Sequence, residues 1–127
     1  MTEEHTDSST KDELKKRCEH VRDQLNLFLD KSYIYSAKEE CFLPNDGTHE
    51  DDGIFGYLQE CDILLMVNLK GFVYGARICV ACGGPGIFID TYRRRIEGYW
   101  GTEEVSIGLT EKICDLIDSA ADEMKLW

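Results

Sequence analysis

Apolar residues recur at helical spacing near the start of the chain. Leu14, Cys18, Val21, Leu25 and Phe28 fall on one face, and Lys15, Lys16, Glu19, Arg22 and Asp23 fill the remainder. The 3.6-residue period predicts an amphipathic helix from about Lys11 to about Asp30. Thr10 followed by Glu13 has the form of a capping box and marks the expected helix start. Residues Met1–Ser9 carry no apolar periodicity and read as a disordered lead to a single domain over 10–127.

The next segment is less regular. Tyr33–Cys41 reads as a short helical turn, and Leu43-Pro44-Asn45-Asp46-Gly47 as a loop that continues through Glu50-Asp51-Asp52-Gly53. Ile54, Tyr57, Leu58 and Cys61 then fit a short helix. From Asp62 the period changes to two. Ile63–Leu69 and Phe72–Cys82 are rich in β-branched and aromatic residues and are joined by a tight turn at Lys70-Gly71. Ala76, Ile78, Val80 and Cys82 are expected on one face, with Arg77, Phe88, Glu97 and Tyr99 on the other.

Gly-Gly-Pro-Gly introduces two further alternating segments, Gly86–Thr91 and Arg95–Trp100, around a polar connection, which is a β-hairpin pattern. Ile87 and Ile89, then Ile96, Gly98 and Trp100, continue the apolar face, and Val105 and Ile107 suggest a fifth strand. Thr110 caps a last helix with a stripe of Ile113, Leu116, Ile117, Ala120 and Met124, closed by Trp127. The expected fold is α+β: an N-terminal helix, an antiparallel β-meander of four to five strands, and a C-terminal helix packed on one sheet face. The opposite face is left open to water or to a partner.

Charge and cysteine content narrow the setting. With 25 acidic and 14 basic residues the net charge is −11, which disfavours direct contact with nucleic acid or anionic membrane and favours basic partners. The longest apolar run, Ile63–Val67, is too short to span a bilayer, and no secretory leader pattern opens the chain. A cytoplasmic location follows as the expectation. Cys18, Cys41, Cys61, Cys79, Cys82 and Cys114 each lie within or beside apolar runs and read as reduced core residues.

Candidate chemistry is sparse. Cys79-Val-Ala-Cys82 has the spacing of half a zinc site, but residues three apart in a strand point to opposite faces, and no second pair exists. Gly83-Gly84-Pro85-Gly86 lacks the Lys-Ser/Thr and helix of a phosphate loop, and Pro85 removes a backbone donor. His5, His20 and His49 have no nucleophile arranged beside them. The expectation is a chain with no enzymatic role, no cofactor and no metal. Arg93-Arg94-Arg95 form the one basic cluster, which either touches a phosphate backbone or an acidic protein patch, or solvates the turn and pairs with Asp90 and Glu97. Tyr92, Tyr99 and Trp100 gather at the same hairpin, as interface aromatics do. Glu50, Asp51, Asp52, Glu103 and Glu104 are acidic groups that could imitate nucleic-acid phosphates. The candidate partner-binding set is therefore Glu50, Asp51, Asp52, Arg93, Arg94, Arg95, Glu97, Tyr99, Trp100, Glu103 and Glu104.

The run G-G-P-G-I-F-I-D-T (Gly83–Thr91), followed after a polar connection by I-E-G-Y-W-G (Ile96–Gly101), resembles a family of small proteins from phages and mobile elements of gut bacteria. The resemblance covers roughly Gly75 to the C-terminus. This chain departs from that pattern with one Trp where a pair is frequent, and with three arginines in the turn. The resemblance implies an anti-defence role of anti-CRISPR type: an inhibitor that binds a host nuclease or CRISPR effector complex and blocks nucleic-acid binding or assembly. A separate reading is a homodimeric structural accessory of a phage. The alternative is a small-molecule-binding or regulatory module that uses the sheet face and the Gly-rich turn.

Overall fold

A computed structural model of the chain describes residues 2–124, with side-chain placement described for 10–123. The elements run α1 (Thr2–Asn26), β1 (Tyr33–Ser36), β2 (Cys41–Pro44), α2 (Gly53–Leu58), β3 (Asp62–Val67), β4 (Val73–Ala81), β5 (Gly86–Asp90), β6 (Arg95–Trp100), β7 (Glu103–Gly108) and α3 (Glu111–Met124). Strands β3 to β7 form one antiparallel meander in sequence order, and β1 with β2 forms a separate two-stranded hairpin. The α+β reading holds.

The meander follows from period-two patterning. Facing pairs place Ile78 beside Ile63 and Ile89, Ile96 beside Ile89 and Ile107, and Gly98 beside Ile87 and Val105. This face is covered by α1, which lies over β6 and β7, and by α3, which packs on β4 and α2. Leu14, Cys18 and Leu25 of α1 and Ile113, Cys114 and Ile117 of α3 meet the sheet isoleucines in one fully enclosed core. Their spacing is the helical stripe read from the sequence. Trp127 lies outside the described residues, as does the Met124 side chain.

Gly98 sets how closely α1 approaches. A Cβ at this position would lie 2.7 Å from Cys18 Sγ and 2.9 Å from Leu14 Cδ1. The helix therefore rests directly on the β6 backbone. A second tie joins α3 to the sheet: the Thr91 hydroxyl accepts the Ala76 N–H at 2.8 Å and donates to Asp118 Oδ1 at 2.6 Å. Thr91 is buried, so this one side chain satisfies a backbone donor beyond the reach of water.

Three expectations require correction. Tyr33–Cys41 is not a helical turn but the start of the β1–β2 hairpin, in which Tyr35 faces Phe42. Four-residue strands are too short to display a period, and the hairpin is held by tertiary contact: Phe28, Tyr35, Phe42 and Tyr57 stack with centroids 4.7–5.7 Å apart. Thr10 lies inside α1 rather than at its cap, and the α-helix ends at Asn26 with a 3-10 turn over Leu27–Leu29. The alternation expected through Val80 and Cys82 breaks at a β-bulge, where Cys79 faces Phe88 and Ala81 faces Ile87.

Gly98→Ala is expected to lower unfolding free energy by about 1–3 kcal/mol, the usual cost of overpacking a closed contact. Gly108→Ala, with open space around its Cβ position, is expected to change it by less than about 0.5 kcal/mol. Urea denaturation of both variants makes the comparison. Thr91→Val should cost about 1–3 kcal/mol in the same assay, because it leaves the buried Ala76 N–H unpaired.

Candidate interaction face

With both long helices on one side, the other side of the meander carries Leu64 and Met66 of β3, Arg77 and Cys79 of β4, Phe88 and Asp90 of β5, Arg95, Glu97 and Tyr99 of β6, and Glu104 of β7. At its centre Glu97 is 2 % exposed. Its Oε2 accepts a hydrogen bond from Arg95 Nε at 2.6 Å, and its Oε1 is held by Arg77 Nη1 and by the Tyr99 hydroxyl at 3.3 Å. The Arg77 guanidinium also lies 3.6 Å from Asp90 Oδ2 and stacks over Phe88 at 4.6 Å. Phe88 in turn meets Tyr99 edge-on at 6.0 Å.

Burial by itself would raise the Glu97 carboxyl. The hydrogen bonds from Arg77 and then Arg95 outweigh it and hold the group below the usual carboxylate range. Burial would likewise lower Arg77, but its bonds to Glu97 and Tyr99 raise it. The cluster is thus a satisfied floor rather than a poised acid or base.

Above this floor is a concavity of about 640 Å³ lined by Leu64, Met66, Tyr74, Arg77, Tyr92 and Tyr99 among others. A second hollow of about 510 Å³ shares Leu64 and Arg77 and continues past Phe88 to Cys79 and Cys82. Tyr74 and Tyr92 pack edge-to-face at 5.2 Å on the rim, and both are at least half exposed. Gly75 permits this: a Cβ there would sit 2.9 Å from that of Tyr92. Leu64 and Phe72 stand out of the surface at 69 % and 66 % exposure. Solvated aliphatic and aromatic side chains gathered around one hollow are the composition of a binding surface.

The residues singled out from the sequence divide among several places. Arg95, Glu97, Tyr99 and Glu104 share the open face. Trp100 points the other way, with Arg17 of α1 over its ring at 5.3 Å, and Glu103 pairs across from it. The three arginines separate: the Arg93 N–H donates to Asp90 Oδ1 at 2.9 Å, Arg94 reaches Glu111 at 3.8 Å, and Arg95 binds Glu97. Asp51 accepts the N–H groups of Tyr35 and Gly53, and Asp52 that of Ala37, so both fasten α2 to β1. Glu50 is exposed nearby.

Leu64, Met66 and Tyr74 were missed. For Leu64 and Met66 the signal was present in β3, where Ile63–Val67 is apolar at every position instead of alternating, which marks a strand with two apolar faces; Tyr74, the extra residue at the β4 irregularity, had none.

The cysteine expectation also needs correction. The side chains of Cys79 and Cys82 converge on the open face instead of joining the core, with Cα atoms 6.4 Å apart, because the bulge at Val80 turns the chain. Cys18 and Cys114 are buried thiols as expected, whereas Cys41 is exposed. Burial pushes the Cys61 and Cys114 thiols up to about 11. Among the described residues, no group of three or more His, Cys, Asp or Glu side chains is placed to hold a metal, and no helix is long and apolar enough to cross a membrane.

Comparison with protein-family models, with curated proteins and with solved structures gave no match.

Glu97→Gln is expected to lower stability at neutral pH by about 1–3 kcal/mol, since it removes the anion of Arg95 and leaves Arg77 only the more distant Asp90. A depressed carboxyl stabilises the fold fully above its unfolded value of about 4.3, and that contribution is lost as pH falls toward the folded value. Asp118 titrates in the opposite sense, because burial raises it, so the informative quantity is the difference between wild type and variant. That difference should shrink in denaturation curves as pH falls below the unfolded carboxylate range.

Proposed function

We propose that this chain is a binding protein that docks a partner protein on the open sheet face, with Tyr74, Tyr92 and Leu64 as the contact residues over the Arg77–Glu97–Arg95 floor. The observation that carries this reading is the exposed aromatic and aliphatic rim around the 640 Å³ concavity. Aromatic side chains supply large contact area with few rotors to immobilise, which suits them as anchors. Glu104 and Asp62 border the same face, and the chain carries −11 overall. The partner surface is accordingly apolar at its centre and basic around it.

A small-molecule site is the weaker reading. Arg77 would be the natural anion ligand of the hollow, yet its guanidinium is already engaged by Glu97, Asp90 and Phe88. In the setting that the phage-protein resemblance implies, the partner is a subunit of a host nuclease complex, whose nucleic-acid grooves are basic. The inhibitory consequence is loss of nucleic-acid binding or of assembly.

The test is binding to purified CRISPR and restriction complexes at low and high salt, using wild type, Tyr74→Ala/Tyr92→Ala and Glu103→Lys/Glu104→Lys. Loss of at least about tenfold in affinity for the tyrosine double variant, with its circular dichroism unchanged, is the expected result. Binding that survives the tyrosine changes and disappears on charge reversal would transfer the site to the acidic surface. Indifference to all complexes, with thermal stabilisation by a nucleotide or metabolite, would overturn docking in favour of a ligand module.

A further inference from the structure

The two edges of the meander are unlike. β7 carries Glu103 and Glu104 and lies under α1, devices that discourage strand addition. β3 carries a single charge, Asp62, at its first residue. It pairs only with β4, contains no proline, and the irregularity near its end belongs to β4, where Tyr74 is the extra residue between Gly75 and Val73. After Asp62 no charge follows until Lys70; Leu64 and Val67 of β3 are exposed, and Leu69, in the turn that follows, is wholly so. An unguarded, regular, apolar edge is a template for another strand.

We propose that the strand it accepts is β3 of a second copy, so that two meanders join as one ten-stranded antiparallel sheet about a two-fold axis through Leu65. The argument is self-complementarity. Residues facing across an antiparallel pair lie on the same sheet side, and a two-fold operation about Leu65 preserves this. Leu64 then faces Met66 of the partner subunit on the open side, and Ile63 faces Val67 of the partner subunit on the helix side. Asp62 meets Asn68 of the partner subunit, an uncharged residue. Glu60 and Lys70 are each five residues from Leu65, in the turns that flank β3, so the acidic end of one edge comes against the basic end of the other. No like charges oppose one another along the seam. Two copies of a chain with net charge −11 therefore meet along an edge that adds no local repulsion. The open faces of the two copies become continuous, so a dimer presents its docking concavities side by side.

The inference concerns the chain alone and stands or falls independently of any partner protein. Sedimentation velocity on a Cys41→Ser background, which removes cross-linking through the exposed thiol and leaves Cys79 and Cys82 untouched, measures it over a concentration series. Wild type is expected to show a monomer–dimer equilibrium. Leu64→Lys/Met66→Lys changes only the open side of β3, and should remain monomeric throughout with unchanged circular dichroism. Glu60→Lys and Lys70→Glu should each weaken dimerisation by roughly two- to tenfold, since each dimer contains the pair twice. The double exchange Glu60→Lys/Lys70→Glu should restore it, an outcome that a merely structural role of either residue would not produce. A wild type that stays monomeric up to millimolar concentration would overturn the proposal. So would a dimer that survives Leu64→Lys/Met66→Lys, because its interface would lie elsewhere.

Discussion

Glu97 holds a negative charge at a position almost closed to water, and much of the open face is arranged around that fact. A buried carboxylate is tolerable only when its lone pairs are filled, and here Arg77, Arg95 and Tyr99 fill them. Once Arg77 is drawn across the sheet to Glu97, its guanidinium covers Phe88 and approaches Asp90. Asp90 in turn caps the following turn through the Arg93 N–H. Three neighbouring strands are thereby tied by side chains as well as by their backbone ladder. The centre of this face is chemically quiet because Glu97, Arg77 and Arg95 are partnered there with one another and with Tyr99.

The same strand serves both sides of the sheet. In Glu97-Gly98-Tyr99-Trp100 the residues alternate between the charged floor and the helix interface, with Gly98 giving α1 its close seat and Trp100 lying under Arg17. Asp90-Thr91 does comparable work at the end of β5, where one residue fastens the turn and the next joins β4 to α3. Folding requirements thus account for Asp90, Thr91, Glu97, Gly98 and Trp100 within the distinctive wording of this hairpin. The surface that could meet a partner instead uses residues from β3, β4 and the turn after β5, including Leu64, Tyr74 and Tyr92.

Apolar exposure is likewise confined. The helices cover most of one face, chiefly over β4, β6 and β7, and the acidic β7 edge is guarded, so unpaired apolar surface collects along β3 and the rim above Arg77. That distribution connects the docking face with the open edge: both belong to the half of the sheet farthest from α1.

Period alone was sufficient for the two long helices, the five strands of the meander and the division of Arg77, Phe88, Glu97 and Tyr99 from the core, because those segments are long enough for burial to impose a repeat on them. The β1–β2 hairpin was not legible, since four-residue strands show no repeat and an aromatic cluster assembled from distant segments holds them. Convergence of Cys79 with Cys82 depended on a one-residue bulge, which reverses the facing that regular alternation would give. Which arginine meets which carboxylate, and which edge is left bare, followed from strand order and helix placement. A linear pattern records which side of a strand a residue occupies; only the assembled sheet decides what stands beside it.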